Sequence, residues 1–385
     1  MAIARPGSRL SPLILIFSLF PIIFSGCQAE NLCNDAIGCI VLHPGAKLNI
    51  GVDKSTTGAA AGISQTVLAA LNFASNQKLT LNGHPINVFF QESSCNDQPH
   101  LKVTSLFTSQ PDLAAVFGPI CQSETGKFAK LISDAGLILF SPAPLIDSSN
   151  QSGWYRVFPT LYTQAAAIQK AITAKFQNQG LAVVVQNQEI DLQVANMLCG
   201  LYKANNLECN LVITLDNNAD DPAAFENLSQ INKSAVILVI SPFNDFERFS
   251  SLADLRINQS LIFFDPELAP IPTSLPLFLQ NSYLLTTRQP QNAETLIASL
   301  PPDQAAIYGL FAFDAYQILM KALAVSSQVT SDGTMVIPRQ GLREAVQQMG
   351  KYDGMMVGYQ CQTTGICLDP ENLLILVKPD QKDNP

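Results

Sequence analysis

Histidine is scarce in this 385-residue chain: His43, His84 and His100 are the only three, all in its first third. A Ser-His-Asp hydrolytic site needs an imidazole held between a hydroxyl and a carboxylate. His84 lies in a Gly-His-Pro turn and His43 in a polar stretch near the N-terminus, so no candidate base exists. The nucleophile elbow Gly-x-Ser-x-Gly, the phosphate-cradling P-loop and the zinc motif His-Glu-x-x-His are all missing. So is Gly-x-Gly-x-x-Gly after the first apolar strand, which removes a dinucleotide cofactor. Neither an enzyme nor a cofactor is therefore expected. There is no Cys-x-x-Cys, and no histidine stands at zinc-ligand spacing from a cysteine, so no metal is expected. Basic residues are few, 22 against 31 acidic, for a net charge of −9, the reverse of what nucleic acid requires. Charged residues of all kinds make up only 14% of the chain, a composition that suits a packed globular protein. Past the N-terminal segment, no run is long and apolar enough to span a bilayer.

That N-terminal segment is the first positive feature. Arg5 and Arg9 precede an apolar stretch, Leu13 to Phe24, broken by Ser18 and Pro21 and closed by Ser25-Gly26-Cys27. Basic, apolar, then small is the order of a secretion signal, and the apolar part is too short and interrupted for a membrane span. Ser-Gly-Cys resembles the lipobox of bacterial lipoproteins, with Phe24 where Leu is usual. The resemblance implies lipidation of Cys27; ordinary cleavage would leave its thiol free. Nine cysteines, an odd number, fit an exported chain with one set apart. Without Cys27, the other eight fall into near neighbours Cys33/Cys39, Cys199/Cys209 and Cys361/Cys367, leaving Cys95 with Cys121, as disulfides of an oxidising compartment. Loss of the signal removes two arginines and takes the charge from −9 to −11.

The mature chain exceeds what one hydrophobic core usually serves, which predicts two domains. Residues 27–46 read as a polar tether ending in Pro44-Gly45. Strands are then predicted at Leu48–Val52, Ile86–Phe90, Leu113–Phe117 and Leu137–Phe140, with helices at Ser64–Ala74, Leu101–Ser109 and Thr125–Ala135. The rhythm restarts after Trp154–Thr163. Helices fall at Ala165–Phe176, Leu192–Asn205, Ala223–Ile231 and Phe246–Leu255, and strands at Leu181–Val185, Leu211–Leu215, Ala235–Ile240, Leu261–Phe264 and Tyr283–Thr287. Helices Ala305–Val325 and Gln340–Met349, a hairpin around Met355–Cys361 and Cys367, and a strand Leu373–Val377 complete the chain. Apolar strands without clean alternation, separated by amphipathic helices, predict parallel sheets covered on both faces. The fold class is α/β, with two doubly wound lobes joined by more than one crossing.

Three loops could carry chemistry. Phe117-Gly118-Pro119-Ile120-Cys121-Gln122-Ser123-Glu124-Thr125 opens a helix, and free amides there could hold a carboxylate or similar anion; Ser123 could instead serve only as the N-cap. Ser141-Pro142-Ala143-Pro144-Leu145 follows a strand, at the end where open parallel sheets bind ligands, or is a simple turn. Asp265-Pro266-Glu267 sets two carboxylates after a strand, suited to a ligand ammonium, or is a solvated acidic turn.

These loops and the order of elements resemble the branched-chain amino-acid binding proteins of ABC transporters, the type I periplasmic-binding fold. The similarity runs from about Lys47 to Val377. It is carried by Ile50-Gly51-Val52, Glu92-Ser93-Ser94-Cys95-Asn96-Asp97, the Gly118–Thr125 loop, Ser141-Pro142-Ala143, Tyr155-Arg156-Val157-Phe158-Pro159, Phe311–Tyr316 and Tyr352-Asp353-Gly354. It implies a Cys95–Cys121 bridge and a multi-strand hinge near Pro159–Thr163, Leu284–Gln289 and Lys351–Gly354. The implied boundaries are a signal at 1–26, the tether at 27–46, one lobe at 47–160 with 287–352 and the other at 161–286 with 353–385. The implied site comprises Ser55 in the first-strand loop, Cys121, Gln122 and Ser123 for the ligand carboxylate, Ala143 and Leu145 beside it, and Ile190 and Phe243 where aromatics are usual. Glu267, with Asp265, would take the ammonium. Gln122 and Leu145 replace hydroxyl residues of the family. The implied partners are a small-molecule ligand, a membrane permease and, through Cys27, the membrane itself, at the periplasmic or outer face of the cytoplasmic membrane. A ligand-sensing lipoprotein is the other role this fold would serve.

Overall fold

Residues 33–94, 99–120, 125–142, 151–177, 179–186, 188–214, 236–249, 260–268, 276–288, 290, 292–301, 306–368 and 373–379 are described by the structure, a computed structural model. In chain order the first elements are β1 (Cys39–Leu42), β2 (Leu48–Ser55), α1 (Gly58–Gln77), β3 (Thr80–Leu81), β4 (His84–Ser93), α2 (Pro99–Thr108), β5 (Leu113–Phe117), α3 (Thr125–Asp134), β6 (Ile138–Ser141) and β7 (Trp154–Arg156). They build a sheet of order β3-β4-β2-β5-β6-β7, parallel except for the short β3. Strands β5, β6 and β7 are buried along their whole length, as a sheet covered on both faces demands. The period of two divides them. Val116, Leu139 and Trp154 pack with Phe107, Phe128 and Ile132 from α2 and α3, while Phe117, Phe140 and Tyr155 join the main core on the opposite face.

The chain then continues through α4 (Leu161–Phe176), β8 (Leu181–Gln186), α5 (Glu189–Ala204), β9 (Cys209–Thr214), β10 (Val236–Ile240), a 3-10 helix at Phe243–Phe249, β11 (Leu261–Phe264), a second 3-10 helix at Leu277–Asn281 and β12 (Tyr283–Thr286). Thr160 starts α4 by accepting the Thr163 amide at 3.1 Å, an N-cap. Next come α6 (Glu294–Ser299), α7 (Ala306–Ser326), β13 (Gln328–Val329), β14 (Met335–Pro338), α8 (Arg339–Gln348), β15 (Tyr352–Asp353), β16 (Gly358–Tyr359) and β17 (Ile375–Val377). The second sheet runs β17-β12-β11-β10-β8-β9, parallel apart from β17. Helix α7 is apolar nearly all round because it is enclosed, packed against α1 and α8. The chain thus leaves the first sheet after β7, returns to its face with α6 and α7, and rejoins the second sheet with β17: three crossings. This is the α/β, doubly wound, two-sheet architecture that the pattern predicted, and the type I periplasmic-binding fold that the resemblance implied. No helix among the described residues is long and apolar enough to cross a membrane.

Four expectations need correction. Residues 33–46 are no tether: β1 pairs antiparallel with β14, and the Asp35 carboxylate accepts the Gln340 amide at 2.8 Å at the start of α8. A four-residue strand whose partner lies far along the chain leaves no local periodicity. The Trp154–Thr163 stretch contains a strand, β7, pairing with β6. The segment after Asp353 does not all go to the second lobe, because Gly365 O accepts the Arg156 amide of β7 at 2.8 Å and only β17 joins the second sheet. Of the α-helix expected at Phe246–Leu255, Phe246–Phe249 belong to the 3-10 helix Phe243–Phe249, and the rest lies outside the described residues, as does the helix expected at Ala223–Ile231. Disulfides join Cys33 to Cys39, Cys199 to Cys209 and Cys361 to Cys367. Cys27, Cys95 and Cys121 lie outside the described residues.

Candidate ligand-binding site

In open parallel sheets, loops at the carboxyl ends of the strands frame the ligand crevice. At the first sheet those ends are knit by short polar contacts. Ser55, at the tip of β2, is buried; its amide donates to Ser64 Oγ at 2.9 Å and its hydroxyl to Thr57 O at 3.4 Å, which turns the chain into α1. Ser141, at the tip of β6, donates to Gly118 O at 2.8 Å and accepts from Trp154 Nε1 at 2.7 Å. Gly118 has φ +142, and a Cβ there would stand 2.7 Å from Asp53 Cβ, so the turn after β5 requires glycine. Ser55 and Ser141 therefore shape this rim. Gln122, Ser123, Ala143 and Leu145 of the expected set lie outside the described residues, as does Cys121.

The tips of the second sheet carry charge. Asp265 follows β11 directly and is buried, and its Oδ1 accepts the Glu267 amide at 2.8 Å, closing the Asp-Pro-Glu turn. That turn leaves the Glu267 carboxylate exposed. Two neighbours complete the group. Asp191, in the first turn of α5 after β8, is only 2% exposed, and Asp245 sits in the 3-10 helix after β10. Burial, and then the charges of Asp265, Glu267 and Asp245, push the Asp191 carboxyl up to about 7. Asp191 Oδ2 is buried without a hydrogen-bond partner. Ser241, the residue at the tip of β10, between the tips of β8 and β11 in the sheet order, is fully buried, and its hydroxyl also has no partner. Ile190 is half-buried beside Asp191, and Phe243 opens the 3-10 helix that carries Asp245.

The helix of the first sheet reaches the same place. Tyr308, near the start of α7, stacks on Phe158 with ring centroids 5.0 Å apart. Its phenol is held above its ordinary range by burial, then by the charges of Glu267 and Asp265. The acidic turn of one sheet thus lies within electrostatic reach of a buried tyrosine on a helix that packs against the other.

One crossing is fastened nearby. Asp314 of α7 is buried and accepts the Met355 amide, at 3.1 Å to Oδ1 and 3.0 Å to Oδ2, and the Tyr359 hydroxyl at 3.1 Å. Burial raises its carboxyl to about 7 against the lowering pull of these donors. A Cβ on Gly354 would meet Asp314 Oδ2 and Tyr359 Cε2, each at 2.4 Å. Gly354→Ala is expected to cost about 2 kcal/mol by displacing this buried acceptor from its donors, read as a lower urea midpoint.

Of the expected residues, the structure brings Asp265 and Glu267 together with the loops bearing Ile190 and Phe243. Asp191, Asp245 and Tyr308 were not foreseen. Glu189-Ile190-Asp191 does show an acidic helix start in sequence, but helix starts are acidic for dipole reasons alone, so the signal was ambiguous.

Two doubly wound sheets in this strand order, joined by three crossings, define the type I periplasmic-binding class of fold. The sequence profile described as "Receptor family ligand binding region" matches residues 64–350, and the chain belongs to that family. No curated protein matches the chain in sequence. Among solved structures, it is similar to an ABC transporter substrate-binding protein from Sphaerobacter thermophilus (12% identity, TM-score 0.67, covering 87% of this chain and 97% of that one). The leucine binding protein LivK from Thermotoga maritima is also similar (14%, 0.58, 86% and 99%). So is a solute binding protein of an R. palustris ABC transporter in complex with benzoate (12%, 0.59, 86% and 96%). At these identities the likeness is one of fold.

Proposed function

We propose that the chain is the extracytoplasmic solute-binding component of an ABC importer, anchored by lipid on Cys27, which captures a small amino-acid-like or amide-like solute by closing two lobes about the three crossings. The observation that carries this reading is the acidic group at the tips of β8, β10 and β11, with the buried Asp191 Oδ2 lacking a partner. Buried charge left uncompensated is costly, and a group that persists in that state is suited to a donor arriving from outside the protein. The solved structures described as a solute binding protein and a substrate-binding protein of ABC transporters support the role, and the leucine binding protein supports a small solute. Closure would follow because ligand contacts from both lobes exist only in the closed state. The Gly118–Thr125 amides would receive an anionic or carbonyl end of the solute, and Glu267 its amine.

Calorimetric titration tests this reading. Against an amine-bearing solute found by a thermal-shift screen of amino acids, amides and organic acids, Glu267→Gln is expected to weaken binding about tenfold, the worth of one charge-assisted contact. Unchanged affinity would remove Glu267 from the site.

A further inference from the structure

We infer that this site selects an organic cation with two separated positive centres, one received at Asp191 and the other at Asp265 and Glu267. The inference rests on the reading that the strand tips bind a solute, and it names the class of that solute. A single ammonium is satisfied by one carboxylate and a few acceptors. Here Asp191 feels the charges of three further carboxylates, Asp245, Asp265 and Glu267, at the ends of three adjacent strands and their loops.

Two orphaned polar atoms lie among them independently of that charge count. Asp191 Oδ2 and Ser241 Oγ are both buried without hydrogen-bond partners. A buried acceptor normally has a partner, and each one left open costs on the order of 1–3 kcal/mol. Two open acceptors at neighbouring strand tips match the several N–H donors of a second ammonium group.

The arrangement also argues against a compact ion. Among the described residues, no three His, Cys, Asp or Glu side chains gather closely enough to hold one metal ion. Acids that do not gather as metal ligands fit an extended cation with its charges set apart better than a single point charge.

Full-length protein titrated calorimetrically with putrescine, cadaverine, butylamine and leucine tests the inference. The better of the two diamines is expected to bind at least about tenfold tighter than butylamine. Asp191→Asn is expected to abolish that advantage, bringing the diamine down to the affinity of butylamine for the same variant. Thermal unfolding of each variant reports whether it is folded, and Ser241→Ala serves as the second variant, expected to reduce diamine affinity more than butylamine affinity. Equal affinity for diamine and monoamine, or leucine binding more tightly than either diamine, would overturn the inference and leave solute binding standing. No binding of any of the four would likewise overturn the inference, and the solute-binding reading would fall only if the wider screen of amino acids, amides and organic acids also found no ligand.

Discussion

Asp191→Asn is expected to stabilise the ligand-free protein by about 2 to 4 kcal/mol at about pH 8, and the gain is expected to shrink steadily in more acidic buffer. The carboxyl titrates near 3.8 in an unfolded chain and near 7 in the folded protein. Between those values the folded state keeps a proton that the unfolded state has lost, so stability falls as pH rises through that window. Above it, Asp191 is charged in both states, and the folded protein bears the full cost of a buried anion beside Asp265, Glu267 and Asp245. Asparagine carries no such charge. Urea unfolding of both proteins at several pH values is the measurement. The two curves should converge toward pH 4 and separate toward pH 8; parallel curves would mean that Asp191 is not the group whose burial is costly. The loss of diamine affinity expected from the same substitution makes the residue a case of stability yielded for function.

Gly365→Ala is expected to be more damaging still, at about 3 kcal/mol or more. The Cys361–Cys367 disulfide closes a short loop whose Gly365 O receives the Arg156 amide at 2.8 Å, while the Arg156 carbonyl receives the Cys367 amide at 3.3 Å. The loop therefore extends the first sheet beyond β7 and covers an edge strand that would otherwise expose its ladder. Gly365 has φ +77, and a Cβ there would fall 1.9 Å from the Trp154 carbonyl oxygen. Backbone is the obstacle, so no side-chain rotation relieves it. The loop must leave the edge, taking with it the Thr364 carbonyl that accepts from the buried Arg156 guanidinium. Chemical unfolding should show the loss, and amide exchange should quicken at Arg156 and Cys367 before it does elsewhere in the sheet. A variant as stable as wild type would mean that the loop does not hold the edge.

Strands that are short and wholly buried were the most legible part of the fold. Leu113–Phe117 and Leu261–Phe264 were predicted with the observed limits, because aliphatic runs of that length between turn residues have few other uses. Strand β1 was hidden, since it pairs with β14 across nearly the whole chain and its four residues show no period of their own. Strand β7 was masked in the same way, three residues whose role is visible only beside β6. At the site, the Asp265-Pro266-Glu267 turn was legible because two carboxylates after a strand are conspicuous. Asp191 was not, since a carboxylate in the first turn of a helix is ordinary until it proves to be buried.

The sequence by itself determined the α/β class, the repeat of the helix–strand rhythm in two halves, and the pairing of neighbouring cysteines, because each depends on residues close along the chain. Only the tertiary structure decided that Asp191, Asp245 and Asp265 share one set of strand tips, that Tyr308 reaches them from a helix on the other sheet, and that the Cys361–Cys367 loop seals an edge. Burial and Coulomb interaction act through space, and their strength is set by which strands lie side by side rather than by distance along the chain.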